Sequence, residues 1–159
     1  MTVVYLGLGS NIENKEEYIK KAVTLLKDFC TIKKISPLYL TEPVGFQDQD
    51  WFLNSVVEIE TDINPKTLLL KVKSIERKLG RKKTVKDGPR TIDIDILFYG
   101  DLVLQTKDLV IPHPLIQERL FVLQPMMDLN PYFVHPVLHK TIQELFDEQP
   151  WSEIVAPLK

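Results

Sequence analysis

Apolar and polar positions along the chain follow two periods, and the switches between them divide it into short elements. Residues Thr2–Leu8 alternate and are rich in β-forming side chains, which predicts a first strand, with Gly9-Ser10-Asn11 as the turn after it. From Lys15 to Phe29 the apolar residues Ile19, Ala22, Val23, Leu26 and Phe29 recur at helical spacing. Thr31–Leu40 reads as a second strand, and Pro37 inside it favours a sheet edge or a bulge. After a polar loop with Pro43 and Gly45, "FLNSVVEIET" alternates as a third strand. Asn64-Pro65 predicts a helix start, with a capping side chain followed by proline at the first position. Leu68, Leu69, Val72, Ile75 and Leu79 face one side of that helix, and Gly80 closes it. A strand over Ile92–Tyr99 is expected to turn at Gly100-Asp101 into a short partner, Leu102–Leu104. Beyond Pro112 the pattern gives helix and irregular structure, with a last helix near Thr141–Asp147.

The order strand, helix, strand, strand, helix, strand suits an α+β ferredoxin-like sandwich. Helices would cover one face of an antiparallel-rich sheet, and a C-terminal extension would follow. With no repeats and no linker composition, residues 1–159 are expected to form one domain. Many functions use this layout, so chemistry must come from particular residues.

The fourth strand supplies the first anomaly. Strand alternation puts Ile92, Ile94, Ile96 and Phe98 on one face, and Asp93, Asp95, Leu97 and Tyr99 on the other. Same-face neighbours lie about 7 Å apart, so two carboxylates there repel by about 2 kcal/mol at an effective dielectric near 20. Either water absorbs that charge, or a cation sits between the acids. Oxygen ligands on a rigid strand suit magnesium, which takes one or two carboxylates plus substrate phosphates.

Charge sharpens the picture. With 20 basic and 22 acidic side chains the chain carries a net charge of -2, so no whole-molecule attraction to nucleic acid or anionic membrane is expected. Yet Lys78, Arg81, Lys82, Lys83, Lys86 and Arg90 cluster just before the acidic strand. They form either a solvated turn at a helix C-terminus or a clamp for polyphosphate. Neither G-x-x-x-x-G-K-[ST] nor G-x-G-x-x-G is present.

Phe52 and Asn54 share a strand face and could stack on and hydrogen-bond a flat heterocycle, or simply pack. "IPHPLIQERLF" contributes His113, Arg119 and Phe121. His135 and His139 have i,i+4 spacing, but Pro136 argues against their sharing a helix. The single Cys30 excludes an internal disulfide, and a reducing cytoplasmic setting is expected. No apolar run is long enough for a membrane span. The opening "MTVVYLGLGSN" is expected to be a strand, not a leader.

Together "YLGLGSN", "TEPVG", "FLN", "IERKLGR", "GPRTIDIDIL" and "PHPLIQERLFVLQP" resemble the 6-hydroxymethyl-7,8-dihydropterin pyrophosphokinase family of folate biosynthesis. The resemblance implies transfer of the β,γ-diphosphate of ATP to the pterin's hydroxymethyl oxygen, with release of AMP. It implies that Asp93 and Asp95 hold two magnesium ions. Arg81 and Arg90 would neutralise the moving phosphoryl group, with Lys83 as a further cation. Glu76, His113 and Arg119 would lie around the ATP. Phe52 and Phe121 would sandwich the pterin, with Thr41, Pro43, Val44, Gly45 and Asn54 at its edge. It also implies a monomer acting on small molecules, without nucleic acid or membrane. Asp87 stands where several members carry an aromatic, and Lys83 where some carry arginine. Two other classes share parts of the pattern. A ferredoxin-like RNA-binding module would have its RNA repelled by the two aspartates, and a magnesium-dependent phosphohydrolase would use water as acceptor.

Overall fold

The computed structural model describes residues 1–43, 48–81, 91–151 and 155–158. In chain order these form β1 (Thr2–Ser10), α1 (Lys15–Leu26), β2 (Thr31–Ile35), β3 (Tyr39–Thr41), β4 (Phe52–Thr61), α2 (Pro65–Lys78), β5 (Asp93–Tyr99), β6 (Leu104–Gln105), β7 (Val110–Ile111), α3 (Leu120–Leu129), α4 (Ile142–Asp147) and β8 (Val155–Pro157). The main sheet runs β5-β1-β4-β3-β8, with β2 also on β4, and every pairing is antiparallel. Helices and antiparallel strands are combined as the ferredoxin-like class requires.

The local causes are legible. Asn64 Oδ1 accepts the Thr67 N–H at 2.9 Å, Pro65 occupies the first turn of α2, and Gly80 follows the helix at φ +83°. Pro37 does split the expected second strand. Across the gap, the Ser36 N–H donates to the Val56 carbonyl and the Ser36 hydroxyl accepts the Val56 N–H, both at 2.9 Å, so the ladder survives.

Four expectations need correction. Gly9 and Ser10 do not turn; they pair with Asn54 and Leu53 of β4 and extend β1. The first helix ends at Leu26, three residues before Phe29. Leu102–Leu104 does not pair with β5; Leu104–Gln105 pairs instead with Val110–Ile111. The outer edge of β5 receives the His113 N–H at the Leu97 carbonyl, 3.0 Å. Finally, Phe98 does not share the isoleucine face. Tyr5 pairs with Phe98 but the next residue, Leu6, pairs with Ile96, so Leu97 is an extra residue in β5. Such a bulge turns Leu97 and Phe98 to the same side and Tyr99 to the other.

That bulge divides the interior. Ile92, Ile94 and Ile96 join Leu6, Val57, Leu26 and Val72 in one core, beneath α1 and α2. Leu97 and Phe98 join Tyr5, Val56, Leu123 and Leu145 in a second core, beneath α3 and α4. The C-terminal extension therefore covers part of the second face of the sheet.

Candidate active site

The expected residues meet on the second face of the sheet, beyond the core under α3 and α4. Asp93 of β5 lies opposite Gly9 of β1, which lies opposite Asn54 of β4. Asp95 lies opposite Gly7 in the same register. Thr41 of β3 lies opposite Phe52. At about 4.8 Å per strand, the aspartates and the Asn54 side chain are roughly 10 Å apart across one strand.

The acidic end is braced from α2. Glu76 is buried, and its Oε2 accepts both the Ile94 N–H at 2.8 Å and Arg81 Nη1 at 2.7 Å. The same Nη1 donates to Asp93 Oδ1 at 2.8 Å, so one guanidinium nitrogen bridges two acids. Lys73 Nζ approaches Glu76 Oε1 to 3.7 Å. Burial pushes the Glu76 carboxyl up, against the pull of the Ile94 N–H, Arg81 and Lys73. Burial, and then the neighbouring Asp93, push Asp95 up to about 7, while Arg119 pulls it down. Among the described residues no cluster of three or more His, Cys, Asp or Glu could hold a metal ion. A cation here would complete its shell from substrate and water, which is how magnesium is commonly held. Two carboxylates on one face of one strand, Asp93 and Asp95, fit that ion.

His113 is held at the outer edge of β5, its N–H on the Leu97 carbonyl. Its Nδ1 accepts the Leu115 N–H at 3.2 Å, so the neutral ring carries its proton on Nε2 as a donor. Burial, and then nearby Arg119, push this imidazole down to about 4, which keeps it neutral. Arg119 stands over the Phe121 ring, 5.4 Å from its centroid, and Phe121 lies in the first turn of α3 against the second core.

The opposite end is neutral. Asn54 Nδ2 donates to Thr41 Oγ1 at 2.7 Å, and both side chains are buried. Phe52 opens β4 and is partly exposed. Pro43 follows β3 closely, whereas Val44, Gly45, Lys83 and Arg90 lie outside the described residues, as do Lys82, Lys86 and Asp87. Two residues not singled out from the sequence tie the chain ahead of β4 into place. Buried Asn11 donates through Nδ2 to Gln49 Oε1 at 2.7 Å and to the Asp50 carbonyl at 3.1 Å. Lys15 Nζ donates to the Trp51 carbonyl at 2.8 Å. In the sequence Asn11 stood only as the last residue of an expected turn and of the segment "YLGLGSN".

His135 and His139 belong to a separate turn. His135 Nδ1 accepts the N–H groups of Val137 and Leu138, and its ring meets Phe98 edge-on at 5.5 Å.

The sequence pattern of the 7,8-dihydro-6-hydroxymethylpterin-pyrophosphokinase family matches residues 5–131. The chain belongs to this family. The 2-amino-4-hydroxy-6-hydroxymethyldihydropteridine pyrophosphokinase of Aquifex aeolicus is 43% identical over 100% of this chain and 99% of its own length. The Bacillus subtilis protein of the same name is 46% identical over 80% of this chain and 77% of its own. The folic acid synthesis protein of Schizosaccharomyces pombe is 46% identical over 93% of this chain, which spans only 20% of that protein. In structure, Plasmodium falciparum HPPK-DHPS superposes with a TM-score of 0.75 at 18% identity, over 92% of this chain and 44% of its own, and shares the fold. As a pyrophosphokinase, the chain presents the acids and the Asn54–Thr41 pair on one face of one sheet. No helix among the described residues is long and apolar enough to cross a membrane.

Proposed function

We propose that this chain transfers the β,γ-diphosphate of ATP to 6-hydroxymethyl-7,8-dihydropterin, giving the pterin diphosphate and AMP. The observation that carries the reading is the shared sheet face, with the Asp93 and Asp95 carboxylates at one end and a preset neutral hydrogen-bonding pair, Asn54 and Thr41, at the other. Asn54 and Thr41 bind the pterin edge, with Pro43, Val44 and Gly45 completing it, and Phe52 and Phe121 bind the ring faces. The His113 Nε2–H and Arg119 bind phosphate oxygens of ATP, joined by Lys83 and Arg90. Glu76 holds Arg81 and the Ile94 backbone, and so fixes where Arg81 and Asp93 stand.

Asp93 and Asp95 would hold two magnesium ions, which supply charge neutralisation on the polyphosphate. The protein's remaining task is positioning. The hydroxymethyl oxygen is aimed at the β-phosphorus, the bond to the α,β-bridging oxygen breaks, and AMP leaves in line. Arg81 stands ready to offset charge on the transferring group once phosphate competes for its guanidinium. We read residues 1–159 as one catalytic domain acting as a monomer in the cytoplasm on small molecules, without nucleic acid or membrane.

The test is a product assay with ATP, magnesium and 6-hydroxymethyl-7,8-dihydropterin. AMP formed only when pterin is present is the expected result. ADP with phosphate, or turnover without pterin, would overturn the reading in favour of a phosphohydrolase.

A further inference from the structure

The two glycines of "GLG" in β1 lie on the same face, yet for different reasons. Neither has a positive φ, so neither is required for backbone freedom. Space separates them. A methyl added at Gly7 would lie 3.5 Å from the Leu97 side chain, an ordinary contact. Added at Gly9, it would lie 2.6 Å from Asn54 Oδ1, which no pair of such atoms tolerates. Asn54 can yield only by giving up the bond that holds it. Its backbone is paired to Gly9 on one side and Tyr39 on the other, and its Nδ2 is tied to Thr41 Oγ1 at 2.7 Å.

We infer that Gly9 is a positioning residue for pterin recognition, because its missing side chain lets the Asn54 carboxamide stand upright beside β1. This rests on the reading of Asn54 as a pterin-binding residue. With one Nδ2 proton engaged by Thr41, the amide plane is fixed, and the remaining Nδ2 proton and the Oδ1 lone pairs present one donor and one acceptor. A Cβ at residue 9 rotates that amide, breaks the Thr41 bond and turns the pair away from the ligand edge. Gly7 has no comparable duty, although it shares the strand and the motif.

The experiment uses the full chain and measures binding of 6-hydroxymethyl-7,8-dihydropterin by fluorescence, with α,β-methylene ATP and magnesium present. Gly9→Ala is expected to weaken pterin binding by about tenfold or more, while affinity for the ATP analogue stays within about twofold. Asn54→Ala should weaken pterin binding as well. The double variant should match Asn54→Ala alone, because nothing is left for the methyl to displace. Gly7→Ala should bind pterin as the parent does, with an equal or higher Tm. Wild-type pterin affinity in Gly9→Ala would overturn the inference. So would a Gly9→Ala loss, through misfolding or otherwise, that persists at full size on top of Asn54→Ala, or an equal loss in Gly7→Ala. If Asn54→Ala itself binds pterin normally, the underlying reading of Asn54 fails. If Asn54→Ala binds weakly and Gly9→Ala does not, only the role of Gly9 fails.

Discussion

The two ends of the sheet face that carries the site solve binding in opposite ways. At the β5 end, Asp93, Asp95 and Glu76 lie close together, and burial, then Asp93, push Asp95 up to about 7. At the β4–β3 end, Asn54 and Thr41 satisfy each other without any charge. The first end gathers acidic groups, whereas the second is a pair of neutral side chains already joined. One should answer to charge, pH and metal, and the other to shape and anchoring.

The sharpest break of that contrast is Asp95→Ala. It should lower turnover by at least about 10³-fold while circular dichroism stays native, since the residue belongs to neither core. Turnover near the parent's at saturating magnesium would remove Asp95 from the acid site. Arg81→Ala comes next, with a fall in kcat of about 10²-fold and pterin affinity within about threefold. Equal losses in both would mean that the two ends are not separate. Asn11→Ala probes the neutral end, because it releases Gln49 and Asp50 ahead of β4. An increase of about tenfold in KM for pterin is expected, with kcat little changed; a change confined to KM for ATP would contradict the anchor.

The smallest effect concerns stability. The Asp95 carboxyl is raised in the fold above its ordinary value of 3.8, so the folded state holds a proton that the unfolded chain releases. Its unfavourable contribution is absent below about pH 4 and grows until about pH 7. Without metal or nucleotide, Asp95→Asn should therefore raise Tm by roughly 3 °C at pH 8, and the gain should vanish toward pH 4. A gain independent of pH would show that repulsion is not what the carboxyl contributes.

Much of this arrangement was legible in the sequence where one local signal sufficed. Asn64-Pro65 starts α2, and "FLNSVVEIET" is β4 at its stated bounds, because capping and alternation are local. Asp93 and Asp95 were readable as neighbours because a strand fixes their spacing. The side of Phe98 was not readable. Whether Leu97 bulges depends on Tyr5 and Leu6 of another strand, and composition within β5 carries no trace of that. Asn11 was hidden for a similar reason: its partners lie 38 and 39 residues away. Glu76 was placed near the nucleotide by resemblance, but its bonds to Ile94 and Arg81 appear only once α2 lies beside β5.

The bulge at Leu97 also bears on what the molecule can flex. Ile96 and Tyr99 grip the core under α1 and α2, while Leu97 and Phe98 are sunk into the core under α3 and α4. The C-terminal half of β5 is thus clamped from above and below, with Phe98 wedged against Phe133 at 4.6 Å between centroids. Amide protons there should exchange with solvent only when the whole domain opens. Whatever rearranges to admit two substrates, the strand that carries the acids is its fixed point of reference.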